Sequence, residues 1–352
     1  MPDQVTRNNH YVPQWYQRGF LESGQSHLHY LDTSPEQKML PDGRTVPMNA
    51  VHNRGPKNCF YEYDLYSTHF GTMVNDEVEK FLFGSIDVRG TKAVRAFAGG
   101  DLSVMHDVFQ DFFEYMDAQK LRTPKGLDWI KSRYSSLDQL QLMQEMQGLR
   151  LMHCAMWIEG VREIVSAEES DVKFIVSDHP VTIYNTAVPP TSPECSYPED
   201  PSIEWLGSQT VFALDANTCL FLTHLEYAQA PKAGNLTAPR THARYRGESL
   251  VRTNAFIRTR KLSPAEVIAI NHLIKESCAE IRGCVQQGVA VSREVVHRSM
   301  AGHRASAAAK RRSLAIWWRD LRWICRWLNA IPRRLWTHLW RPRIPATREA
   351  RD

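Results

Sequence analysis

Polar and apolar side chains alternate over residues 26–32 (Ser-His-Leu-His-Tyr-Leu-Asp), and residues 59–66 form an aromatic-rich run. Both patterns predict β-strands, with Pro41-Asp42-Gly43 as turn chemistry between them. Over residues 75–98 the period lengthens: Val78, Phe81, Leu82, Ile86 and Val94 return at helical spacing until Gly99-Gly100 ends the pattern. Further helices are predicted over 105–120, from Lys125-Gly126 onward, and over 137–165, where Leu140, Met143, Leu149, Met152 and Met156 form a Met-rich core stripe. The period then falls to two or to short apolar runs at 172–176, 181–184, 210–214 and 218–223. The last two runs are joined as a hairpin across Asp215-Ala216-Asn217. Residues 189–201 and 230–247 read as surface loops. Ser263-Pro264-Ala265-Glu266 opens a helix that extends to 282, with Ser263 as N-cap and Pro264 in the first turn. The order strands, helices, strands, helix predicts an α+β domain over 1–302, with mixed or antiparallel strands flanking a helical middle section.

Composition narrows the class. The chain has 352 residues, 43% hydrophobic and 23% charged, which excludes collagen-like and wholly disordered organisation. The 7 cysteines are odd in number, widely spaced and never arranged as Cys-x-x-Cys, so neither a disulfide framework nor a thiolate zinc site is expected. A reducing cytoplasm is the expected location. Residues 1–10 lack the basic and apolar run of a secretory signal, and no segment reaches the ~18 apolar residues of a spanning helix.

Charge separates a second module. Residues 303–352 carry thirteen Lys and Arg against three Asp and Glu, a balance of +10 that leaves −6 for residues 1–302 of a chain with net charge +4. Six of the 10 tryptophans fall in the same segment. On a helix over 314–328, Leu314, Trp317, Trp318, Leu321, Ile324, Cys325 and Leu328 lie within an arc of about 120°, and Arg319, Arg322 and Arg326 form a basic stripe. Beyond Pro332 the pattern resumes with Arg333, Arg334, Trp336 and Trp340. Tryptophan suits the headgroup zone and arginine suits anionic lipid, so the tail reads as a peripheral attachment to the inner membrane surface. Two alternatives stay open: packing on the protein's own body or a second copy, and nucleic-acid binding by phosphate contacts and stacking.

Four stretches carry a resemblance. They are residues 9–20 (Asn-His-Tyr-Val-Pro-Gln-Trp-Tyr-Gln-Arg-Gly-Phe), the acidic segment around Glu77, Glu79 and Asp87, Leu121-Arg122-Thr123-Pro124, and residues 174–181 (Phe-Ile-Val-Ser-Asp-His-Pro-Val). In this order they resemble a mainly bacterial family, domain-of-unknown-function family 4238, over roughly residues 8–285, with Asn271 matching the family's Asn in the closing helix. The chain departs from that pattern at Asp87, where the family usually has Glu, and at His179, where Asn is usual. The resemblance implies a fold unit and a set of positions, with no reaction attached.

Candidate chemistry centres on His10, Glu79, Asp87 and Asp178. Eight residues apart on a predicted helix, Glu79 and Asp87 differ by about 80° and lean toward one side. A hard ion such as Mg²⁺ or Mn²⁺ takes oxygen ligands, and an imidazole joins for Mn²⁺. Asp178 follows an apolar strand and precedes Pro180, so its carboxylate stands at a strand end. The competing structural expectation is solvated helix carboxylates and an Asp turn. Arg18 and Arg122 are candidate anion clamps. Their structural alternative is a plug of buried aromatics in which Arg18 pairs with Glu22 or Asp64. Nucleotide P-loop, dinucleotide-binding, nucleophile-elbow and zincin motifs are absent from the sequence. Two functions follow. One is a metal-dependent phosphodiester hydrolase acting on nucleic acid or nucleotide, with His10 as ligand or general base and Asp178 at the reacting centre. The other is a non-enzymatic binding or sensing module brought to the membrane surface, or to nucleic acid, by the C-terminal helix.

Overall fold

The computed structural model describes residues 8–63, 65, 68–70, 73–75, 83–229, 234–240, 257–278 and 289–291. Glu79 and the tail at 303–352 lie outside the described residues. The N-terminal third is strand-rich: β1 (Asn8–His10), β2 (Leu28–Leu31), β3 (Gln37–Met39), β4 (Thr45–Pro47), β5 (Val51–Arg54), β6 (Tyr61–Tyr63), β7 (Thr68–Phe70) and β8 (Met73–Asn75), with a short helix α1 (Gln14–Gln17). Helices fill the middle: α2 (Gly84–Gly99), α3 (Leu102–Asp107), α4 (Phe109–Leu121), α5 (Pro124–Arg133) and α6 (Gln139–Ile158). Strands return as β9 (Val161–Ser166), β10 (Val176–Ser177), β11 (Val181–Asn185), β12 (Ser208–Ala213), β13 (Thr218–Thr223), β14 (Ile257–Lys261) and β15 (Val289–Val291), with α7 (Leu225–Gln229) and α8 (Pro264–Glu276) among them. The α+β class stands.

The central sheet runs β11-β12-β13-β9-β14, antiparallel throughout except for β14, which lies parallel to β9. Strands β11, β12 and β13 are buried at every position. That is why Val211–Leu214 and Cys219–Leu222 read as short apolar runs rather than strict alternation. A second sheet, β10-β15-β2-β5, joins strands from both ends of the chain. The aromatics of residues 11–20 plug the core between these layers. Tyr11, Val12, Tyr16 and Phe20 are buried; the Tyr16 ring stacks on Phe212 at 5.6 Å, and its hydroxyl donates to the Ala213 carbonyl. Arg18 is exposed and donates to the Gln14 amide oxygen at 3.4 Å; of its two expected partners, Glu22 accepts from Gln25 instead, and Asp64 lies outside the described residues.

Several expected boundaries move. Residue 75 closes β8, and the described helix begins at Gly84. The helix expected over 105–120 is two: α3 starts earlier, where Asp101 caps it by accepting from the Ser103 and Val104 amides, and the backbone leaves helical values at Val108 (φ −109°, ψ 14°) before α4 begins. The helix expected to reach 165 stops at Ile158, and Gly160 leads into the β-branched run of β9, which pairs with β13. Of the expected strand 172–176, only Val176–Ser177 is strand, because Asn271 takes the backbone before it: the side chain accepts from Ile175 N–H and donates to Lys173 C=O. The hairpin across 215–217 and the start of α8 are as expected. Glu266 accepts from the Ser263 amide at 2.7 Å, and α8 ends at Glu276. Among the described residues no helix is long and apolar enough to cross a membrane.

Helices α2 and α4 pack closely, with Phe97 stacked on Phe112 at 3.7 Å. Gly90 permits this approach, since a Cβ there would lie 2.6 Å from Tyr115 Cγ, a buried ring with no room to yield. Gly90→Ala should therefore cost about 1–3 kcal/mol, measured by urea unfolding. Gly99→Ala, with open space around its Cβ position, should change stability by no more than about 0.5 kcal/mol.

Candidate functional site

The site begins where α4 turns into α5. Thr123 caps α5 by accepting the Gly126 amide at 3.2 Å, and Pro124 occupies the first turn, where its missing N–H costs nothing. The first turn of α5 then lies directly on the end of α4. A Cβ on Gly126 would lie 2.7 Å from the Leu121 carbonyl oxygen, so only glycine allows the contact. This turn brings Lys120 and Lys125 to one spot. The end of β10 reaches the same spot through Asp178 and His179, and the loop preceding β12 supplies Asp200.

Four of these groups are withdrawn from water, with His179 1%, Lys125 5%, Lys120 8% and Asp178 4% exposed, and the Asp200 side chain is 11% exposed. The Asp200 carboxylate accepts from Lys120 Nζ at 2.9 Å, from Lys125 Nζ at 2.7 Å and from His179 Nε2 at 3.3 Å. Lys125 also donates to the Ser277 carbonyl at 3.0 Å. With Nε2–H directed at Asp200, His179 Nδ1 is the acceptor for the Thr123 hydroxyl at 2.7 Å. Burial raises the Asp200 carboxyl, but Lys120, Lys125 and His179 outweigh it and hold the group well below the ordinary carboxylate range. Burial also pushes the His179 imidazole down to about 4, against the pull of Asp200, so the ring is neutral near pH 7. Burial raises the nearby Cys195 and Cys278 thiols, which keeps both from serving as thiolate nucleophiles. Asp178 raises the Cys278 thiol further, and Lys125 lowers it, which places both on this neighbourhood.

Arg122 faces the opposite way from Lys120 and Lys125. Its guanidinium pairs with Asp87 at 2.9 Å, donates to Gln119 Oε1 at 2.8 Å and lies 5.8 Å from the Tyr115 ring centroid. Gln119 in turn donates to the Tyr11 carbonyl at 2.8 Å, which ties the 9–20 stretch to α4. Asp87 and Arg122, expected as metal ligand and anion clamp, are thus committed to each other. Burial raises the Asp87 carboxyl, and Arg122 pulls it back. His10 sits elsewhere, on β1, where Nε2 lies 3.1 Å from the Lys57 carbonyl and the ring is 5.6 Å from Tyr61. Among the described residues no group of three or more His, Cys, Asp and Glu side chains is gathered for a metal ion. Of the expected site residues that are described, only Asp178 lies beside the buried cluster; Lys120, Lys125, His179 and Asp200 are members that the sequence reading does not anticipate. Their signal was that Lys120 and Lys125 flank the 121–124 stretch and His179 lies within the 174–181 stretch. No family model, curated protein or solved structure matches the chain.

The neutral, buried state of His179 sets a pH dependence. An unfolded histidine titrates near 6.5 and this one near 4, so between those values the unfolded chain binds the extra proton and stability falls as pH drops. Between pH 7 and pH 5 this group should remove about 2 kcal/mol. His179→Asn keeps a side-chain donor and acceptor without titrating there. Urea unfolding across that range should show the wild-type decline exceeding the variant's by about that amount.

Proposed function

We propose that the chain is a binding or sensing module for a small anion, a phosphate ester or a carboxylate, recognised by Lys120, Lys125 and His179. The observation that carries this reading is the convergence of these donors, drawn from two separate segments, on a single carboxylate in a nearly dry position. Lysine is rarely buried, and an ammonium removed from water requires a charge partner, so two lysines around one carboxylate form a site selective for anions. Thr123 fixes the imidazole so that Nε2–H faces the anion. Two of the stretches behind the resemblance to family 4238 meet at this Thr123–His179 bond, which favours a shared site in that family. Orthophosphate and pyrophosphate titrated calorimetrically into the full chain should bind, and Lys125→Ala should weaken binding at least tenfold, the loss expected for a charge-assisted bond of about 1.5–3 kcal/mol. Binding that is unaffected by Lys125→Ala, or absent throughout, would overturn the reading.

A second proposal concerns the tail, whose alternation of tryptophan and arginine favours attachment to an anionic membrane surface. Full-length protein should co-sediment with vesicles containing phosphatidylserine, and replacing Arg319, Arg322 and Arg326 with Glu should release it. Retention by oligonucleotides in preference to those vesicles would favour nucleic acid as the partner instead.

A further inference from the structure

The carboxylate that gathers the donors belongs to a loop. Tyr197-Pro198-Glu199-Asp200 lies along α5 and is fastened to it by side chains at three places. The Tyr197 hydroxyl donates to Asp128 at 2.6 Å. Glu199 accepts from the Trp129 indole N–H at 3.1 Å and from Arg133 at 3.0 Å. Asp200 completes the series at the lysines. The ties differ in their surroundings. The Arg133–Glu199 pair has side chains 51% and 34% exposed, whereas Lys125 and Asp200 are 6% and 11% exposed. Exposed pairs contribute little and exchange readily with water, and the inner tie is the strong one. The backbone bond made within the run is local, from Glu199 N–H to Ser196 C=O. Prolines at 189, 190, 193, 198 and 201 stiffen the loop, so it gains little chain entropy on lifting and reseats at little cost.

We propose that residues 197–200 form a strap over the cationic site, with Asp200 as a built-in competitor that an anionic ligand must displace. This rests on the anion-binding reading above. A carboxylate and a phosphate oxygen make the same demand on an ammonium or an imidazole N–H, and the donors that hold Asp200 are the donors the ligand would use. The strap therefore sets the apparent affinity of the site: the ligand gains only the difference between its own contacts and those of Asp200. The outer ties at Tyr197 and Glu199 set how often the strap opens, without touching the ligand.

The test uses full-length protein, with orthophosphate and pyrophosphate as probes, read by calorimetry and by stopped-flow association. Asp200→Asn removes the competing charge and keeps the shape, and should tighten pyrophosphate binding at least tenfold. The double variant Tyr197→Phe with Glu199→Gln leaves Asp200 and both lysines in place, and should raise affinity and association rate about two- to fivefold by loosening the strap. It also covers the case in which Asp200→Asn fails to fold, which circular dichroism would reveal. Wild-type binding that neither variant strengthens would overturn the strap and leave the anion site standing. Absence of binding in wild type and in both folded variants would remove the anion site and the strap with it.

Discussion

A charged side chain taken out of water needs an opposite charge at contact distance. The ammonium groups of Lys120 and Lys125 find theirs in one shared carboxylate. Much of the local architecture serves that pairing. The two lysines meet because α5 starts against the end of α4, and Gly126 alone allows that contact. The loop before β12 is held down because it carries Asp200. The end of β10 is oriented because His179 must satisfy Thr123 at one nitrogen and Asp200 at the other. Removing Asp200 without replacement would leave two buried cations uncompensated, a far larger penalty than the loss of a surface ion pair.

A second ionic pair, Arg122 with Asp87, does comparable work on the other side of α4. The guanidinium lies among aromatic rings and bridges α2 to α4, and Gln119 extends the connection to the backbone of Tyr11. The two charge clusters are adjacent in sequence and separate in role. Arg122 is a scaffold cation with its partner on a helix, whereas Lys120 and Lys125 have theirs on a loop.

Local chemistry was legible wherever it is local in origin. The Asp215-Ala216-Asn217 hairpin, the Ser263–Glu266 helix start and the aromatic plug at 11–20 follow from short-range patterns, and each is present. Boundaries failed where a distant partner decides them. Residues 161–165 read as helix because their apolar content continues that of α6, yet pairing with β13 makes them strand. Residues 172–175 read as strand, yet Asn271, about a hundred positions later, claims their backbone groups. The same reason hid most of the site. Lysines in a helical stretch read as a solvated face, and nothing near Asp200 in sequence announces that it will neutralise them. Asp178 was singled out for its place at a strand end, and that inference about position brought it to the right neighbourhood. Its grouping with His10, Glu79 and Asp87 asked for a convergence of distant segments; His10 is bonded to the Lys57 carbonyl and Asp87 to Arg122, and Glu79 lies outside the described residues.

Trp129 occupies an unusual junction. Its indole N–H is bonded to Glu199 of the loop, the Arg133 guanidinium lies 4.6 Å from its ring centroid, and the imidazole of His153, itself bonded to Asp117, is 6.5 Å away. Indole emission responds to each of these: to the hydrogen bond, to the cation over the ring and to water admitted at the edge. The fold has thus placed a chromophore at the outer edge of the segment that covers the lysines. With the other nine of the 10 tryptophans replaced by phenylalanine, its colour and lifetime would form an optical record of that segment's position, with no external label attached.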